Sequence, residues 1–159
     1  MRKVNTNEIV EDTWGSPKGR YRGFGKQVSV ALGREPTSTD LMKRHPFDVE
    51  ILRVPPGMTP YPHHSHSAQW EFYHVISGSG RIRDEEGMTP VVAGDAFIFE
   101  PNQPHQFFND GNEDLIVYVV ADNPIGEMSH YPDSNKWGVP IPKRTLLRSE
   151  PLEYYDGEE

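Results

Sequence analysis

Cysteine is absent from the 159 residues, so neither a disulfide nor a thiolate-bound metal can be part of this protein. That absence fits a reducing compartment. Also missing is any apolar run near the roughly 18 to 20 residues needed to cross a bilayer. The opening stretch MRKVNTNEIVEDTWG lacks the apolar segment of a secretory signal. A soluble, cytoplasmic protein with no membrane partner is expected. Basic residues are the scarcer charge: 16 Lys and Arg stand against 24 Asp and Glu, a formal net charge of −8. Nucleic-acid binding usually carries a basic footprint, so no nucleic-acid partner is expected. The acids gather at Glu11–Asp12, Asp84–Glu86, Glu113–Asp114 and Asp156–Glu159, which reads as solvated ends and turns. There is no phosphate-loop signature, no calcium-loop spacing and no Asn-x-Ser/Thr acceptor.

Proline is what the chain has in excess. Its 15 prolines are nearly twice the usual share of about 5%. Proline breaks long helices and is tolerated at strand ends, edges and turns. The chain therefore reads as short strands cut by turns, in one domain. Phe47–Val54 alternates and stops at Pro55-Pro56-Gly57. Glu71–Ile76 stops at Gly78-Ser79-Gly80, Arg81–Asp84 runs into a turn at Gly87, and Thr89–Ala93 stops at Gly94-Asp95. Ala96–Phe99, His105–Phe108 and Leu115–Ala121 follow, the last a continuous apolar run like a strand covered on both faces. Turns every 8 to 12 residues or so suggest a sandwich or barrel. Before it, residues 1–45 form an arm in which Gln27–Leu32 is a candidate strand and Thr39–Lys43 a helical turn capped by Ser38. After it, residues 123–159, with Pro124, Pro132, Pro140, Pro142 and Pro151, read as extended segments packed on the barrel. The piece Tyr131–Trp137 is a packing or lid element.

Three of the seven histidines lie together at His63, His64 and His66. On a strand, residues i and i+2 share a face, so His64 and His66 can aim two imidazoles at one point. Glu71 opens the next strand and can add an oxygen. Two nitrogens and a carboxylate suit Mn, Fe, Co, Ni or Zn, although an HxH pair is also a common solvated turn. His105 begins a strand just after Pro104, and in a rolled barrel it can face the pair.

At this point the residues meet a known family. Gly57, His64-Ser65-His66, Glu71 and Gly78 resemble the first motif of the cupins. Gly94, Glu100-Pro101-Asn102-Gln103-Pro104-His105 and Asn109 resemble the second. The resemblance covers roughly residues 46–122. It implies an all-β double-stranded β-helix, a jelly-roll barrel, with N- and C-terminal arms. It also implies one divalent transition metal (Mn, Fe, Ni or Zn) held by His64, His66, Glu71 and His105. Gly57 lies one residue further from His64 than the commonest pattern, which leaves His63 as the rival ligand. Glu100 and Asn102 stand where the second motif usually has proline and glycine, and asparagine tolerates the left-handed backbone better than most residues.

By strand parity, Tyr73 and Val75 share the face of Glu71, and Phe107 and Asn109 that of His105. These side chains either line a small-molecule pocket or fill an ordinary core. Tyr73, Gln69 and Phe107 are the candidate substrate contacts. Trp70 lies in the same loop as Gln69 and serves equally as packing, and His74 has the wrong parity for a ligand. The expected function is a metal-dependent isomerase or dioxygenase on a small sugar, sugar phosphate or oxo or hydroxy acid. The alternative is a non-catalytic binding module. The C-terminal segment is similar to that of bacterial cupins labelled sugar or sugar-phosphate isomerases. Open strand edges and the pairing habits of isolated cupins imply a homodimer.

Overall fold

The computed structural model describes residues 1–140 and 143–158; Pro142 and Glu159, assigned above to the C-terminal segment, lie outside the described residues. Among the described residues, thirteen strands carry the fold. They are β1 (Asp12–Gly15), β2 (Arg22–Gln27), β3 (Phe47–Val54), β4 (Ser65–His66), β5 (Glu71–Ser77), β6 (Ser79–Arg83) and β7 (Met88–Val92). Then come β8 (Ala96–Phe99), β9 (Gln106–Phe108), β10 (Leu115–Asp122), β11 (Ser129–Tyr131), β12 (Lys136–Val139) and β13 (Thr145–Leu147). Two single-turn helices, α1 (Val28–Ala31) and α2 (Leu41–Arg44), sit in the N-terminal arm. No helix among the described residues is long and apolar enough to cross a membrane.

One sheet runs in the order β1-β2-β3-β10-β5-β8, a second β7-β6-β9, and a third β13-β12-β11-β4. All the named strand pairs are antiparallel. The antiparallel bridge His64↔His105 ties the segment that leads into β4 to the start of β9. The core lies between the first two sheets. Leu52, Val54, Tyr73, Val75, Leu115 and Val117 come from one, and Ile82, Val91 and Phe107 from the other. The alternation in β5 is strict: Tyr73 and Val75 are buried, while Phe72, His74 and Ile76 are exposed. This is the pattern expected where one sheet face covers a core and the other is open.

Two expectations for the arm need correction. Gln27–Leu32 is not a strand: β2 ends at Gln27 and the chain turns into α1. There Val28 and Ser29 are buried, and the Ser29 hydroxyl accepts the Val49 backbone N–H at 2.8 Å. Covering the outer face of β3 outweighs the strand preference of the two valines. The second helical turn starts at Leu41 rather than Thr39. Its cap is Asp40, whose carboxylate accepts the Met42 N–H at 3.0 Å, whereas Ser38 accepts from Asp40 instead.

The arm is riveted to the barrel by guanidinium groups. Arg34 binds Asp48 at 2.7 Å and the Asn123 side chain at 2.8 Å. Arg53 bridges Glu11 at 2.7 Å and Asp114 at 3.1 Å, and lies over the Phe24 ring. Planar, multi-donor arginine suits such partly buried junctions.

Candidate metal centre

His64 and His66 reach one cavity because β4 is short and doubly anchored. It pairs with β11 through Ser65↔His130 and His66↔Ser129. His64 exchanges two backbone hydrogen bonds with His105, at 3.1 and 2.8 Å. The turn before His105 depends on Asn102, whose φ of 69° is left-handed; asparagine here does what glycine would. Gln103 closes that turn, its side chain accepting the Glu100 N–H at 2.8 Å. Asn109 clamps the far end of β9. It is buried, and its amide donates to the Val54 and Glu113 carbonyls, both at 2.7 Å. It is therefore a structural residue.

Ligand atoms of His64, His66 and Glu71 lie within 4.8 Å of one another. His105 adjoins this group, with Nε2 3.0 Å from Glu71 Oε2, and its ring centroid is 4.8 Å from that of His64. Each of the three imidazoles has Nδ1 against an oxygen. His64 meets the Pro62 carbonyl at 2.9 Å, His66 meets Glu127 at 3.0 Å and His105 meets the Gln103 carbonyl at 3.2 Å. In His64 and His66 an Nδ1–H donated in this way leaves Nε2 as the lone-pair nitrogen, and such outer partners orient metal-binding histidines; His105 instead turns its Nε2 to Glu71. The Nε2 of His66 is buried without a hydrogen-bond partner. An orphaned buried nitrogen beside a carboxylate is what a divalent ion would satisfy, so these residues fit a metal.

The electrostatics favour a neutral His64 beside an ionised Glu71 and pull His66 the other way. Burial, aided by the charges of His105 and His66, holds His64 down at about 3. For Glu71, burial pushes upward, but the hydrogen bond from His105 and the neighbouring imidazoles outweigh it, leaving it at about 2. Burial lowers His66, yet the Glu127 hydrogen bond and the charges of Glu71 and Glu127 prevail and raise it.

The other candidates separate clearly. Tyr73 lines the cavity and donates its hydroxyl to Glu71 Oε2 at 2.9 Å. Phe107 is buried behind it, with ring centroids 4.9 Å apart, and packs rather than lines. Gln69 donates its amide to the Asp122 carbonyl at 2.5 Å, which holds its side chain to β10, and it is not among the residues lining the cavity. His63 is buried away from the cluster, 3.4 Å from Asp133. His74 is on the outer face of β5. The cavity, of about 300 Å³, also takes in Tyr131, the first residue of the expected packing or lid element, and Glu50, Tyr61 and Arg144, which the sequence does not single out. Glu50 had a signal: it is an acid at the inward parity of FDVEILRV. Glu127 and Arg144 had none, since both arrive through the C-terminal strands.

Comparison with known proteins agrees with this architecture. Residues 50–121 match the family model described as "Cupin domain". A sugar phosphate isomerase of a cupin superfamily from Silicibacter pomeroyi superposes with a TM-score of 0.77 at 23% identity, covering 96% of this chain and 97% of that one. The polyketide cyclase RemF of Streptomyces resistomycificus superposes with a TM-score of 0.59 at 16% identity, covering 100% and 94%. At these identities the likeness is one of fold. The oxalate-binding protein of Thermotoga maritima is 31% identical over 69 residues, 43% of this chain and 56% of that protein; the chain thus spans about half the length of that curated relative. With motif, topology and family match in agreement over the same stretch, residues 50–121 of this chain form a cupin domain.

Proposed function

We propose that this chain is a metal-dependent enzyme acting on a small, oxygen-rich substrate: a sugar, a sugar phosphate, or a 2-oxo or hydroxy acid. The observation that carries the reading is the set of three imidazoles, each with Nδ1 held by oxygen, gathered around Glu71, with His64, His66 and Glu71 lining one cavity. His64, His66, Glu71 and His105 would hold the ion. When bound, it supplies Lewis acidity toward a substrate oxygen or activates a water. Three neutral imidazoles and one carboxylate around a divalent ion leave a charge of about +1, with roughly two of six positions open. Such a site suits a bidentate, anionic oxygen ligand.

The protein's own residues support the same substrate class. Tyr73 anchors Glu71 and lines the cavity. Arg144 lines the cavity, donates to the Tyr131 hydroxyl at 3.4 Å, and has no carboxylate within 4.0 Å among the described residues. A guanidinium so placed favours an anionic substituent. Isomerisation and oxidation by O₂ are both open to this geometry.

A second reading, a non-catalytic module that holds a small dicarboxylate, is favoured by the match to the oxalate-binding protein. One experiment separates the two. Protein purified without chelator or a nickel column should carry about one divalent transition ion per chain. Calorimetry with 2-oxo and hydroxy acids should then show binding to metal-loaded protein and not to metal-free protein, with turnover for the enzyme and none for the module. Less than about a tenth of an equivalent of metal after reconstitution would sink the metal-dependent enzyme, and equal ligand binding with and without metal would favour the module.

A further inference from the structure

Glu50 has no part in the centre described above, yet it faces the same cavity. Along the inward face of the first sheet, Glu50, Val119 and Tyr73 form one cross-strand row, and Asp48, Ala121 and Glu71 the next. Glu50 is thus one row from Glu71, on a strand that carries none of the four candidate ligands. Its Oε1 is buried and has no hydrogen-bond partner, and no cationic nitrogen lies within 4.0 Å of the carboxylate among the described residues. The chain makes room for it at Gly25, where a Cβ would collide with Oε1 and stand 3.1 Å from both Glu50 Cδ and the Trp14 ring. A buried carboxyl with one oxygen left unpartnered is costly, and such groups cluster at functional sites.

The other polar groups of the cavity are already committed. Glu71 takes the Tyr73 hydroxyl, and the imidazoles have their Nδ1 atoms tied. Burial keeps the Tyr61 and Tyr73 hydroxyls well above their ordinary range, so they stay protonated. Resting on the reading of this site as one for small carbonyl substrates, we propose that Glu50 is its proton-transfer group, removing a proton from the carbon beside a substrate carbonyl and returning it. In the forward half the C–H bond breaks and an O–H bond to Glu50 forms. The C–H pair becomes the new carbon–carbon π bond, and the carbonyl π pair moves onto its oxygen. Delivery of the proton to the former carbonyl carbon, with the hydroxyl proton passing to the former carbonyl oxygen, completes a 1,2-shift of the carbonyl. No oxidant is consumed. Burial, opposed by a hydrogen bond from Gln27 and reinforced by Asp48, Glu71 and Asp12, raises Glu50 to about 7, where a carboxyl both accepts and donates near neutral pH. Arg144, the one Arg or Lys among the described lining residues, supplies no ion pair to it.

The test uses the whole chain, with dihydroxyacetone phosphate, hydroxypyruvate and pyruvate as probes in D₂O. Metal-loaded wild type should exchange the α-protons of at least one probe, read by proton NMR above the metal-only background. Glu50→Gln should keep metal and probe binding within about threefold and lose exchange by about a hundredfold or more. If that variant is unfolded, Glu50→Asp, which keeps the carboxyl but withdraws it, makes the same comparison. Infrared difference spectra of metal-free wild type against Glu50→Gln give a second readout. They should show a carboxylic-acid carbonyl band at about pH 6 that is gone at about pH 9, either side of about 7. Exchange that survives the substitution, no exchange by a protein that binds metal and probe, or no acid band at the lower pH would each overturn the proposal while leaving the metal centre standing. Failure to bind metal would overturn the reading of the site instead.

Discussion

Replacing Glu71 by glutamine removes one charge and almost no volume, and the structure sets what that should cost. In the folded chain the carboxyl lies at about 2 against an ordinary 4.5. That gap, at roughly 1.4 kcal/mol per pH unit, corresponds to ~3 kcal/mol of stability. Because the folded value is depressed, the contribution is present above 4.5 and is lost as pH falls toward about 2. Metal-free Glu71→Gln should therefore melt roughly 6 to 12 °C below wild type at neutral pH, taking about 2 to 4 °C per kcal/mol for a chain of this size. The difference should narrow as pH drops below 4.5. Adding a divalent ion at about a hundred times its Kd should stabilise wild type by a further ~2.7 kcal/mol and leave the variant nearly unmoved. Differential scanning calorimetry, with and without Ni²⁺ and Zn²⁺, measures all three. A metal-free variant that melts at or above wild type at neutral pH would show that the carboxylate is strained rather than held by its imidazole neighbours.

Three further outcomes are expected. His64→Ala should abolish metal binding in calorimetry, whereas His63→Ala, buried against Asp133, and His74→Ala, exposed on β5, should leave most of it; the reverse order would put the ligand register off by one. Glu127→Gln should weaken metal binding by about 10- to 100-fold near pH 8. Since Glu127 raises His66, its loss should also move the acid limit of binding to lower pH, and a shift the other way would refute its role. Sedimentation at micromolar concentration should give a homodimer, and Phe72→Lys on the exposed apolar face that Phe72 shares with Ile98 should weaken it; an 18.1 kDa monomer for wild type would refute the assignment.

Much of the barrel is written locally. Phe47–Val54 and Ala96–Phe99 match β3 and β8 end to end, because alternation and flanking proline and glycine act within a few residues. Parity alone put Tyr73 beside Glu71 and His74 outside. It also offered Phe107 for the pocket, where only the packing of the second sheet shows it filling the core behind Tyr73. Gln69 lies between ligands in sequence, but the reach of its amide to Asp122, 53 residues on, decides its position. Gln27–Leu32 has strand composition, and only the chance to cover Val49 turns it into α1. Ligand types, spacing and turn chemistry are thus properties of short segments, which the sequence by itself determines. The orientation of His66 by Glu127, the entry of Tyr131 and Arg144, and the place of Glu50 one row from Glu71 all require strands far apart in the chain to pair. Only the tertiary structure decides them, because no local preference encodes which distant strand will be the neighbour.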